Sequence, residues 1–125
     1  MKRTLTTVAI AVLLVGCSSG STKAKDNRAG TTTGAAGAQT AALDVTDSLT
    51  FSPNTVNAKV GTVTLSVTNT GGTPHNLTFD DSALGKTNTV AGKESVPLKV
   101  VFDKAGTFTF RCTFHAGMTG KVVVS

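Results

Sequence analysis

Near its C-terminus the chain reads FTFRCTFHAGMTGKVVVS, with Cys112, His115 and Met118 three residues apart. A thiol, an imidazole and a thioether at that spacing belong to one short loop, bounded by Gly117 and Gly120. Either the grouping is coincidental, or the three side chains converge on a metal ion that accepts soft ligands. The chain has only two histidines, and the other, His75, stands well upstream in TPHNLTF.

Whether His75 can join them depends on the elements between. The stretches SLTF, TVTLSVTN, HNLTF, PLKVVF, GTFTFRC and GKVVVS alternate apolar and polar residues with period two, separated by Gly, Pro, Asn and Asp. In TVTLSVTN, Val63, Leu65 and Val67 share one face while Thr62, Thr64, Ser66 and Thr68 share the other. No helical periodicity of useful length is present. Short strands packed into residues 41–125 predict an all-β fold, a small Greek-key antiparallel β-sandwich, with 84–94 as a longer irregular excursion. Side chains two apart share a strand face, so Cys112 follows Phe108 and Phe110 inward at the end of its strand. His75 likewise precedes Leu77 and Phe79 on one face. Two strand ends can therefore offer Cys112 and His75 to a common point.

His75, Cys112, His115 and Met118 form an N, S, N, S donor set. Two imidazoles and a thiolate in a plane, with a weak axial thioether, are the ligands of blue-copper electron-transfer sites, whereas zinc normally takes a tetrahedral set without methionine. Singly, each residue has a plainer explanation. A cysteine at a strand end is most often a small buried hydrophobe, His115 a loop residue, Met118 a gap filler and His75 a turn residue. Together, the parity, the spacing and an unpaired thiol favour the metal. A catalytic reading would make Cys112 a nucleophile and His115 its base, but inward parity hides the thiol, Met118 has no role, and four ligands leave no open position. The protein is expected not to be an enzyme.

The residues that carry this chemistry resemble the cupredoxins, the type 1 blue copper proteins that include plastocyanin and amicyanin. CTFHAGM is similar to the short ligand loop of amicyanin, and FSPNTVNAKVG, VTLSVTNTGGTPHNLTF and FDKAGTFTFRC are each similar to stretches of that family. The resemblance implies one copper ion held by His75, Cys112, His115 and Met118. It also implies that Asn76 ties the two ligand-bearing loops together, with Thr113 its counterpart beside the cysteine. Related loops place proline before the second histidine, and this chain has Phe114. Phe114 keeps an amide hydrogen, which is expected to donate to the Cys112 sulfur and favour Cu(I).

The front of the chain has a different character. In MKRTLTTVAIAVLLVGC, Lys2 and Arg3 precede an apolar run shorter than the ~20 residues a membrane span needs. Leu14, Val15, Gly16 and Cys17 resemble the lipobox of bacterial lipoproteins, which implies a signal peptide over 1–16 and a lipidated Cys17. Residues 17–40 are rich in Gly, Ala, Ser and Thr and predict a flexible linker, followed by a copper-binding domain over 41–125. If Cys17 carries lipid, Cys112 has no disulfide partner, which is unusual for an exported thiol and consistent with ligation. The net charge of +5 at pH 7 falls to +3 without Lys2 and Arg3, and residues 41–125 contribute only +1. With no Tyr or Trp, nothing points to nucleic acid. The expectation is a monomer anchored to the cell membrane by its lipid and facing outside the cytoplasm, on the periplasmic or cell-surface side. There it passes single electrons between redox partner proteins. Copper homeostasis or copper delivery is the alternative for the same ligands.

Overall fold

The computed structural model describes residues 30–32 and 37–125. The apolar leader 1–16, Cys17 and most of the expected linker lie outside them. Nine strands make two facing sheets. They are β1 (Gly30–Thr31), β2 (Gln39–Val45), β3 (Phe51–Ser52), β4 (Thr55–Ala58), β5 (Gly61–Asn69), β6 (Thr78–Phe79), β7 (Ser95–Phe102), β8 (Gly106–Arg111) and β9 (Thr119–Val124). One sheet has the order β1-β4-β9-β8-β6 and the other β3-β2-β5-β7.

The period-two pattern places the core as expected. In β5, Val63, Leu65 and Val67 are buried while Thr62, Thr64, Ser66 and Thr68 are half-buried. β2 alternates buried and exposed residues throughout. Between the sheets the Phe110 ring meets Phe51 edge-on at 5.0 Å and Phe79 at 5.7 Å. Such pairs add about 0.5–1.5 kcal/mol each beyond their buried area, so the strand leading into Cys112 is fixed near its end, two residues before the cysteine.

Two features depart from the sequence expectation. The sheets are mixed rather than purely antiparallel: β2 pairs with β5, β4 with β9 and β1 with β4, all parallel. The chain crosses between sheets after β3 and again after β4, so strands that become neighbours are not consecutive and need not reverse direction. Structure also begins earlier than residue 41. β2 starts at Gln39, and Gly30–Thr31 adds an edge strand to β4, both inside the stretch read as linker.

Register brings the site together. Arg111 at the end of β8 pairs with Thr119 at the start of β9 and with Thr78 at the start of β6. The loop 112–118 and the residues just before β6 therefore share one end of the sandwich. The irregular excursion after β6 opens with one 3-10 turn at Ser82–Leu84 and returns alongside His75 through a bridge between His75 and Val90.

Candidate metal centre

Cys112 leaves β8 pointing inward and is buried. Its backbone amide donates to the Met118 carbonyl at 3.0 Å, and the Met118 amide donates to the His115 carbonyl at 3.4 Å. These bonds close 112–118 into a compact turn. Gly117 has φ +80°, a conformation that costs glycine little and other residues much. It allows the chain to reverse so that Met118, 1% exposed, returns to the interior. His115 stays half-buried at the rim of the loop.

His75 arrives from the other side of the gap. Its backbone amide donates to the Val90 carbonyl at 3.1 Å and the Val90 amide donates back at 2.7 Å. The imidazole is fully buried. Among the described residues its Nε2 has no hydrogen-bond partner, while Nδ1 faces Cys112 Sγ at 3.9 Å. His115 also presents Nδ1 to that sulfur, at 3.5 Å. The three donor atoms all lie within 4.8 Å of one another.

Those separations can be compared with what one metal ion requires. Metal–nitrogen and metal–sulfur bonds of ~2.0–2.3 Å, opened by the angles of a tetrahedral or trigonal centre, set nitrogen and sulfur about 3.6–3.8 Å apart. The observed 3.5 and 3.9 Å bracket that range. Burial, and secondarily the nearby His115, holds the His75 imidazole below its ordinary pKa, against the opposing influence of the Thr46 backbone and the Asp47 carboxylate. A neutral imidazole is the form that ligates. The donors, their spacing and the lowered pKa of His75 fit a metal ion. Met118 lines the same cavity of about 490 Å³ as Cys112, Thr113 and His115, which supplies a thioether on the side of the loop and favours copper over zinc.

The structure brings all four ligand candidates to one end of the fold and links the two segments directly. Asn76 donates from Nδ2 to Thr113 Oγ1 at 2.7 Å, and the Thr113 amide donates to Asn76 Oδ1 at 2.8 Å. The expectation for Phe114 is corrected. Among the described residues Cys112 Sγ meets the two imidazoles only, and no amide from Phe114 reaches it. The paired Asn76–Thr113 bonds fix the chain immediately after the cysteine, and they do not turn the next amide onto the sulfur. The Phe114 ring instead stands half exposed, edge-on to His115 with centroids 6.5 Å apart.

A family profile described as the cupredoxin-like domain matches residues 6–124. Chloroplastic plastocyanin of Tetradesmus obliquus is 38% identical over 88 residues, covering 61% of this chain and 59% of that protein, so the chain spans less than two thirds of its relative. Among solved structures, a copper binding protein in its apo form aligns with a TM-score of 0.68 at 18% identity, covering 80% of this chain and all of that one. Auracyanin A, a "blue" copper protein from Chloroflexus aurantiacus, aligns with a TM-score of 0.63 at 19% identity, covering 71% of this chain and 100% of its own. At those identities the likeness concerns the fold alone. A reduced mutant of amicyanin is 30% identical with a TM-score of 0.57, covering 73% of this chain and 85% of that one.

Proposed function

The chain belongs to the cupredoxin-like family; from that premise we propose that it holds one type 1 copper site and serves copper-based electron transfer, working outside the cytoplasm and tethered to a membrane through Cys17. The observation that carries the electron-transfer reading is the convergence of His75 Nδ1, Cys112 Sγ and His115 Nδ1 within 4.8 Å, with Met118 buried on the same loop as Cys112 and His115. Bound copper would supply a one-electron couple between Cu(I) and Cu(II). The protein's part is to hold the donors in one compromise geometry, so that little has to move when the charge changes. The sandwich does this from both sides, through the closed loop 112–118 and the His75–Val90 bridge. His115 lies at the rim, half-buried, and offers the shortest path from the ligand set to a partner.

Catalysis is not part of the reading, because all four donors are committed to the metal and the thiol is only 3% exposed. The tether rests on the sequence resemblance around Cys17, and the chain between it and β1 is short enough to keep the domain near the surface. The partners are redox proteins that reach this exposed end, and the protein acts as a monomer.

Copper-loaded protein should show an intense thiolate-to-copper band and should keep its metal through repeated oxidation and reduction. Release of the metal on reduction would instead favour copper delivery. Cys17→Ala should free the protein from membranes with its spectrum unchanged. A variant that remained bound after high-salt washing would overturn the lipid tether.

A further inference from the structure

His75 is the isolated ligand, and the segment that delivers it, Thr70–Pro74, has no regular secondary structure. Its order must come from elsewhere. The Asn69 carboxamide, fully buried at the end of β5, donates to the Thr73 carbonyl at 2.7 Å and to the Val90 carbonyl at 3.1 Å, and accepts from the Gly71 amide at 2.9 Å. That braces the segment from inside. From outside, Asp47 reaches across from just beyond β2. Its Oδ1 accepts from the Gly72 amide at 3.0 Å and from the Thr73 amide at 2.9 Å, with Oδ2 also 3.3 Å from the Gly72 amide.

We propose that Asp47 is a positioning residue for the metal centre, a surface carboxylate that clamps Gly72 and Thr73 and through them sets the placement of His75. The proposal rests on the copper reading of the site. Transmission is short and stiff. Thr73 precedes Pro74, which confines Thr73 to extended backbone, and the Pro74 ring fixes its own φ, so a shift at Thr73 passes to His75 with little chance of absorption. The sequence is shaped to admit the clamp. A Cβ added at Gly71 would run into the Asp47 carboxylate, and one at Gly92 would sit 3.0 Å from both the Gly71 carbonyl oxygen and the Gly72 Cα. The two glycines thus leave room for the carboxylate on one side and for the 91–94 turn on the other. Lys93 in that turn adds a donor to the Thr70 carbonyl. The Asp47 side chain is exposed, and its hydrogen bonds are to this segment.

Charge and hydrogen bonding can be separated, because both amides use Oδ1. Asparagine keeps that acceptor, whereas alanine removes it. In metal-free protein, Asp47→Ala should speed exchange of the Gly72 and Thr73 amides roughly tenfold, the factor expected when a charged acceptor is withdrawn from a local opening equilibrium. The amides of Leu65 and Val122 should keep their protection. Asp47→Asn, which keeps the Oδ1 acceptor but not its charge, should fall between the parent and Asp47→Ala at Gly72 and Thr73 and match the parent at Leu65 and Val122. Gly71→Ala, which presses on the carboxylate from the other side, should reproduce the alanine pattern with Asp47 intact. Copper-loaded Asp47→Ala should show a changed ratio of visible bands and faster metal loss, and Asp47→Asn should bring both part of the way back to the parent. Equal loss of protection in the core and the segment would reduce Asp47 to a general stabiliser and overturn the proposal, as would an unchanged spectrum in Asp47→Ala. Failure of the parent protein to develop a coloured band would strike the copper reading alone, because the exchange measurement needs no metal.

Discussion

The two segments that build the centre solve the same problem in opposite ways. The loop 112–118 supplies three donors from seven consecutive residues and is closed by its own backbone, through Cys112 to Met118 and Met118 to His115. The segment 69–76 supplies one donor and takes its order partly from its own Asn69 and partly from distant chain: Val90, Asp47 and Thr113. A local loop can be legible from spacing alone, whereas a cross-braced one cannot. The contrast also divides labour. The compact loop carries the chemistry and reaches the surface at His115, and the braced segment holds a fully buried imidazole still. Breaking the first should cost function before stability, and breaking the second should cost stability or geometry before chemistry.

The largest effect is expected at the compact loop. Cys112→Ser replaces a soft thiolate by a hard hydroxyl while leaving the rest of the core in place. It should abolish the coloured band entirely yet give a far-ultraviolet circular dichroism spectrum and thermal transition close to those of the parent. A coloured serine variant would mean that the thiolate is not the chromophore. A variant that failed to fold would mean that this loop is as structural as its counterpart, and the division of labour would be lost.

Next in size is the inner brace. Asn69→Ala leaves the Thr73 carbonyl and the Gly71 amide without their buried partner, while the Val90 carbonyl keeps the His75 amide. With an unsatisfied buried group costing about 1–3 kcal/mol, and some of these groups able to find water, a net destabilisation of about 2–4 kcal/mol is expected in denaturant titrations. The copper band should survive in the folded fraction. Destabilisation below half a kilocalorie would show that Asn69 is incidental and that the 85–94 excursion orders the segment by itself.

These differences track what the sequence made legible. Alternation in β5, β8 and β9 announced the strands, and parity placed Phe110, Cys112, His75 and Leu77 inward, where burial now finds them. The spacing within CTFHAGM pointed to a ligand loop because its contacts are local. β2 was not read as a strand because QTAALDV carries small residues that blend with the Gly- and Ala-rich stretch before it, although Ala41, Leu43 and Val45 do alternate. The parallel pairings were not legible, since they depend on which sheet each crossing enters and leave no mark on periodicity. Asp47 was invisible for a related reason: its partners are backbone amides 25 and 26 positions away, and a backbone amide has no sequence signature. The Phe114 amide failed as an expectation because a loop analogy places residues but does not aim their hydrogens.

The smallest effect concerns acid, and it separates the outer brace from everything else. The Thr73 amide first, then the Thr73 side chain and the Gly72 amide, hold the Asp47 carboxyl below its ordinary pKa, with partial opposition from burial and a smaller contribution from Lys93. The other titratable neighbour is His75, whose pKa burial lowers. A carboxyl whose folded-state pKa is lowered binds fewer protons in the folded state than in the unfolded one. Its contribution to order is therefore complete above the ordinary aspartate value, about pH 4, and is lost as pH falls through the lower folded-state value. In metal-free protein the Gly72 and Thr73 amide resonances should hold steady on descent to about pH 4 and then move together, following the carboxyl carbon of Asp47. Asp47→Asn should show no such step, while the resonances of 112–118 should pass through the same range without a matching transition. A step centred at or above the ordinary aspartate value would mean that the amides do not favour the charged form, and the clamp would then have to act by shape rather than by charge.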